Sequence, residues 1–232
     1  MRLLNGHKIA SIASLVIFTA VFAAEANGQS ILGEILRRLD THNKSLQSLR
    51  AEVTMVKHNP QLNVSDTTSG TTSYLPKTAK RGMYVRIDWT KPVEEQISVI
   101  GDDYELYRPR LNQVIVGKVQ KAKNNASVGG ALAFMSMTRD QLRANYDVRY
   151  IGEEQIRGGT PTWRLELTPK TETSYKMAEL WVDGDGMPRQ AKIVEHNNDS
   201  TTVLLTGIQK NLTLKGDIFK LKYPANVKKI KA

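Results

Sequence analysis

Apolar residues recur with two different periods along this chain, and the change comes near residue 50. Behind a capping Ser30, apolar side chains stand at Ile31, Leu32, Ile35, Leu36, Leu39, Leu46 and Leu49 with charged residues between them. That spacing predicts an amphipathic helix lying on an apolar surface. From Ala51 onward the pattern becomes period two: Val53 and Met55; Val85, Ile87 and Trp89; Ile97 and Val99; Tyr104 and Leu106; Trp163, Leu165 and Leu167; Ala191 and Ile193. Alternation of this kind marks strands with one buried face. Turns at Ile100-Gly101-Asp102, Arg157-Gly158-Gly159 and Asp183-Gly184-Asp185-Gly186 suit sequential antiparallel hairpins. The expected fold is therefore mainly β with helices (α+β), built on one strongly curved antiparallel sheet.

The stretch from Val128 to Met137 breaks the alternation. It is apolar without period two, opens on Gly129-Gly130, and leads into Thr138-Arg139-Asp140-Gln141, a capping box for a helix reaching about Asn145. Two readings suit this segment: a soft cover over the concave face of the sheet, or plain core plugging one end of a barrel.

The amino-terminal residues bear on compartment. Arg2 and Lys8 precede an apolar run from Ile9 to Ala24, and Ala24-Glu25-Ala26 supplies small residues for a peptidase. This is the form of a cleaved secretory signal peptide over residues 1–26, and the run is shorter than the ~20 residues that span a bilayer. Residues 27–232 are then expected to form one exported, soluble domain. The chain contains no cysteine, which removes disulfides, thiolate metal sites, thiol catalysis and the lipobox of a lipoprotein. Its formal net charge of +10 is spread among apolar positions, as in Tyr84-Val85-Arg86-Ile87-Asp88-Trp89, which suits solvated strand faces better than a nucleic-acid surface. Two denser groups, Lys118-Lys121-Lys123 and Lys228-Lys229-Lys231, suit either anionic headgroups or a solubilising loop and tail.

Catalytic chemistry finds little support. His42, His58 and His196 have no metal-ligand spacing, and no nucleophile elbow, phosphate loop or dinucleotide fingerprint is present. Asp183-Gly184-Asp185-Gly186 begins like a calcium loop, but Met187 and Val194 stand where oxygen ligands are required. Glu94-Glu95 and Glu153-Glu154 are adjacent on strands and so point to opposite faces. No enzyme, metal or cofactor is expected.

The string from Arg81 to Gln113 resembles the periplasmic lipoprotein carrier family LolA and its wider superfamily of lipid-binding half-barrels. The residues that carry the likeness are Lys80-Arg81-Gly82, Arg86-Ile87-Asp88-Trp89, Lys91-Pro92, Gly101, Tyr107-Arg108-Pro109 and Gln113. The apolar stretch through Met137, the helix before Tyr146, and Phe219, Pro224 and Val227 follow in family order. Three positions differ: Gly82 stands in place of a usual proline, Ile100 in place of a frequent acidic residue, and Glu105 in place of a common aromatic.

The resemblance implies an incomplete barrel closed by the amino-terminal helix and a central helical lid, with an apolar cavity for acyl chains. Val85, Ile87 and Trp89 would line one strand of that cavity, Ile97 and Val99 the next, and Leu132, Phe134, Met135 and Met137 the lid. Arg81 would hold the lid shut through its guanidinium donors. By the same resemblance the partners are acylated lipoproteins or lipids, an inner-membrane ABC-type release complex and an outer-membrane acceptor. The expected protein is a periplasmic monomer that touches membranes transiently and binds no nucleic acid. A carrier of another lipid, or a lipoprotein-sensing module of an envelope stress pathway, would share these features.

Overall fold

The computed structural model describes residues 29–118 and 136–231. A helix, α1 (residues 29–45), precedes twelve strands. The first six are β1 (Leu49–Asn59), β2 (Val64–Leu75), β3 (Tyr84–Lys91), β4 (Glu95–Ile100), β5 (Asp103–Arg108) and β6 (Gln113–Lys118). A short helix, α2 (Arg139–Asn145), leads to β7 (Tyr146–Ile156), β8 (Thr160–Pro169), β9 (Tyr175–Asp183), β10 (Pro188–Glu195), β11 (Ser200–Lys210) and β12 (Lys228–Lys231). All twelve strands form one open, curved sheet in the order β12-β6-β5-β4-β3-β2-β1-β11-β10-β9-β8-β7. Every adjacent pair is antiparallel except β12 with β6, which run parallel.

The amphipathic helix lies where its pattern placed it. Ile35, Leu36 and Leu39 are fully buried and pack with Val53, Leu180, Val182, Ala191, Val203 and Leu205 in one core on the concave face. Each such side chain contributes about 1.5–3 kcal/mol by leaving water. The helix is shorter than its periodicity suggested: it ends at residue 45, and Leu49 is the first residue of β1. The apolar pattern runs on because Leu46 and Leu49 join the same core from the turn and the strand.

The hairpin between β9 and β10 fastens α1 to the sheet. Asp183 Oδ1 accepts from the backbone N–H groups of Asp185 and Met187, and Arg189 Nε donates to Asp183 Oδ2 at 2.5 Å. The turn so shaped offers the Gly184 carbonyl to Arg38 Nη1 at 2.8 Å. Arg38 in turn lies over the Trp163 ring, 5.3 Å from its centroid. This tetrad is thus a structural turn.

At α2 the capping box forms as its sequence predicts. Gln141 N donates to Thr138 Oγ1 at 3.2 Å, and Thr138 N donates to Gln141 Oε1 at 2.9 Å. Leu142 is the buried anchor of the helix.

After β11 the chain crosses the convex face of the sheet as a strap before entering β12. Ser48 Oγ holds the Leu212 carbonyl at 2.6 Å, Arg86 Nη1 the Ile218 carbonyl at 2.7 Å, and Ser98 Oγ the Phe219 carbonyl at 2.6 Å. Phe219 is fully buried and meets Tyr84 edge to face at 5.5 Å between centroids.

Candidate functional site

Cross-strand register decides which side chains share the concave face. Tyr74 lies opposite Val85, and Val85 opposite Val99; Ile87 lies opposite Ile97, and Ile97 opposite Leu106. Tyr104 faces Val99, and Ile115 faces Leu106. Side chains directly opposite on neighbouring strands project to the same side of a sheet, so these residues form one continuous apolar surface over β3 to β6. Val85, Ile87, Trp89, Ile97 and Val99 therefore stand together, as the alternation predicts. Tyr74, Tyr104, Leu106 and Ile115 belong to the same surface and were not among the expected site residues. Period two was visible at Tyr104 and Leu106, whereas Ile115 sits in a run too uniformly apolar for its face to be read.

The two halves of the concave face differ in how completely they are covered. Beneath α1, Leu165, Leu167, Ala178, Leu180 and Val203 have no exposed surface. On the other half, Ile87, Trp89 and Leu106 are buried, but Val85, Ile97, Val99, Tyr104 and Ile115 are only half-buried. An apolar surface left partly open on a curved sheet is the geometry of a site for apolar ligand. Burial pushes the Tyr74 and Tyr104 phenols up, so both stay uncharged near neutral pH. A charged pair, Arg108 Nε to Glu95 Oε1 at 3.0 Å, stands at the end of this face.

Of the expected lid residues, Met137 is described: it is half-buried and packs against the concave core, and its carbonyl accepts from Asn43 Nδ2 of α1 at 2.9 Å. Leu132, Phe134 and Met135 lie outside the described residues. Arg81 stands in the turn before β3. Its Nη2 donates to the Pro76 carbonyl at 3.2 Å, its guanidinium lies over the Tyr84 ring, and its buried Nε has no partner among the described residues. Next to it, a side chain at Gly82 would come within 2.8 Å of Gly101 Cα, so the β4–β5 turn packs directly on backbone at this point. That contact accounts for glycine at a position where a proline ring would collide.

The histidines are dispersed. His42 is buried on α1, His58 Nδ1 meets Ser65 Oγ across the β1–β2 hairpin at 3.0 Å, and His196 Nε2 meets the Thr173 carbonyl. Among the described residues there is no cluster of metal-ligating side chains, and no helix long and apolar enough to cross a membrane.

Comparison with known proteins agrees with this geometry. Residues 44–222 match the family model described as outer membrane lipoprotein carrier protein LolA. An outer-membrane lipoprotein carrier protein of Nitrosospira multiformis is 24% identical over 190 residues, covering 82% of this chain and 84% of that protein. The protein of the same name from Cupriavidus taiwanensis is 25% identical over 206 residues, covering 88% and 90% respectively. Among solved structures, an uncharacterized conserved protein of Thermus thermophilus shares the fold with a TM-score of 0.55 at 14% identity, covering 87% of this chain and 99% of its own. A family match across most of the chain, on an open curved sheet with a partly uncovered apolar face, makes this protein a member of the LolA family of outer membrane lipoprotein carriers.

Proposed function

We propose that the protein is a periplasmic carrier that takes the acyl chains of lipoproteins into the concave face over β3 to β6. It passes them from an inner-membrane release complex of the ABC type to an outer-membrane acceptor, with no chemical step. The observation that carries this reading is the half-buried apolar surface of Val85, Ile97, Val99, Tyr104 and Ile115 beside the sealed core. Each methylene withdrawn from water there contributes about 0.8 kcal/mol, so affinity needs area and no reactive group. In the same reading residues 1–26 are removed on export, Leu132, Phe134, Met135 and Met137 cover the bound chain, and Arg81 steadies that cover with donors not engaged elsewhere.

The test is binding of a fluorescent diacylated lipopeptide. Ile97→Glu and Val99→Glu each set a carboxylate into the apolar surface, and each is expected to weaken binding about tenfold or more while secondary structure by circular dichroism is retained. Unchanged affinity in both variants would move the site off β4. Release of free fatty acid with turnover would overturn the carrier reading.

A further inference from the structure

The concave surface over β3 to β6 is not aliphatic throughout, because two phenols stand in it. Tyr74 lies opposite Val85, Val85 opposite Val99 and Val99 opposite Tyr104, so one row crosses four strands with a phenol at each end. The next row, two residues further along the strands and about 7 Å away, is Ile87, Ile97, Leu106 and Ile115, with Thr72 beside Ile87. Beyond it stand Trp89 and the ion pair of Glu95 with Arg108. Along the strands the surface thus changes from phenolic to aliphatic to charged.

The polar groups of these rows differ in whether their hydrogen bonds are made. Thr72 Oγ1 donates to the Arg86 carbonyl at 3.1 Å, and Glu95 accepts from Arg108 at 3.0 Å. The hydroxyls of Tyr74 and Tyr104 have no hydrogen-bond partner among the described residues. Both residues are half-buried, and neither hydroxyl is among the unpartnered polar atoms that the described residues enclose completely. Burial keeps both phenols protonated near neutral pH, so each holds a proton to donate. Water answers hydroxyls that reach the surface. A hydrocarbon chain laid over Val85 and Val99 displaces that water and returns no acceptor, which counts against binding. A chain that begins at a carbonyl returns one.

We infer that Tyr74 and Tyr104 set the specificity of the concave surface, each donating its hydroxyl to the carbonyl oxygen of an acyl linkage, so that ester- and amide-linked chains are taken in preference to ether-linked chains of equal length. This rests on the reading of the surface as the acyl-chain site. The order of the rows fits it: the linkages meet the phenols, and the chains run from there over the aliphatic row. The backbones of Tyr74 and Tyr104 are three strand spacings apart, about 14 Å along the sheet, so each hydroxyl serves its own linkage.

The experiment is displacement of the fluorescent diacylated lipopeptide by two unlabelled lipopeptides that differ only in linkage, a dipalmitoyl ester and its dihexadecyl ether. The native protein is expected to prefer the ester about tenfold, Tyr74→Phe and Tyr104→Phe each to lower that preference about threefold, and the double variant to bring it to about one. Phenylalanine keeps the ring and its packing, and circular dichroism checks that the fold is retained. Tyr223→Phe, on the strap, should leave the preference as it is. Equal affinity of the native protein for the two ligands would overturn the inference while leaving the apolar site in place, as would phenylalanine variants that weaken ester and ether alike. Binding of neither ligand would remove the carrier reading and the inference with it.

Discussion

His42 is the residue whose surroundings are least suited to its charged form. It lies on the buried side of α1 with 5% of its surface exposed, and its Nε2 has no partner among the described residues. Burial, and after it the charge of Lys210, holds its imidazole below the ordinary value of 6.5. Arg189 acts in the same direction, while Asp183 and Asp185 pull the other way. A base with a depressed folded pKa binds fewer protons in the native state than in the unfolded one. Its neutral form therefore contributes stability in full above the unfolded pKa, and that contribution is lost as pH falls below 6.5 toward the folded value. The urea midpoint is expected to drop between about pH 7.5 and 5.5 in the native sequence. His42→Leu should remove most of that drop, and an identical slope in the variant would exclude His42 as its cause.

The elements show where periodicity is a sufficient guide and where it fails. Strands β3, β4 and β8 present their apolar sets to the side that alternation implies, and α2 begins at the cap its residues specify. Strand β2 escaped notice because its concave positions include Thr68, Gly70 and Thr72, which are too small and polar to mark a face. Strand β12 has four residues, Lys228–Lys231, and pairs in parallel with a segment more than a hundred positions earlier, so no local pattern announces it. The candidate apolar site was legible in part, since Val85, Ile87, Trp89, Ile97 and Val99 carry it within single strands. The strap over the convex face was not, since Arg86 and Ser98 meet the carbonyls of Ile218 and Phe219, more than a hundred positions later in the chain.

Packing between elements is sharpest where the β9–β10 hairpin meets α1. Gly186 has φ +81°, and an added Cβ would run into the Arg38 carbonyl group and the Leu39 nitrogen. Backbone on both sides leaves nothing that can yield. Gly186→Ala is expected to cost about 2–3 kcal/mol through strain and loss of the Arg38 to Gly184 contact. Chemical denaturation measures it, and a loss below about 0.5 kcal/mol would show that the hairpin and helix separate easily.

At the scale of the whole molecule, β1 to β6 and β7 to β11 are two meanders whose strands pair with their sequence neighbours. They are joined along one seam, β1 with β11, where Leu49 faces Lys210 and His58 faces Ser200. Pairing across such separations carries a loop-closure cost that local hairpins avoid, and it slows folding. Pulse-labelling hydrogen exchange during refolding is expected to protect amides of β3 to β5 and β8 to β10 before those of β1 and β11. Simultaneous protection of all of them would show that the seam forms together with the hairpins.

The position of α1 gives that seam a consequence in time. The helix is made before any strand, yet much of the core that Ile35, Leu36 and Leu39 join, from Leu165 on β8 to Leu205 on β11, lies more than a hundred residues further along the chain. While the chain is being synthesised, that stripe lacks most of the surface it will lie on, and it is a natural handle for any factor that keeps the chain unfolded. Release of the handle and docking of the helix are then one event, and it waits for the hairpin that carries Gly186.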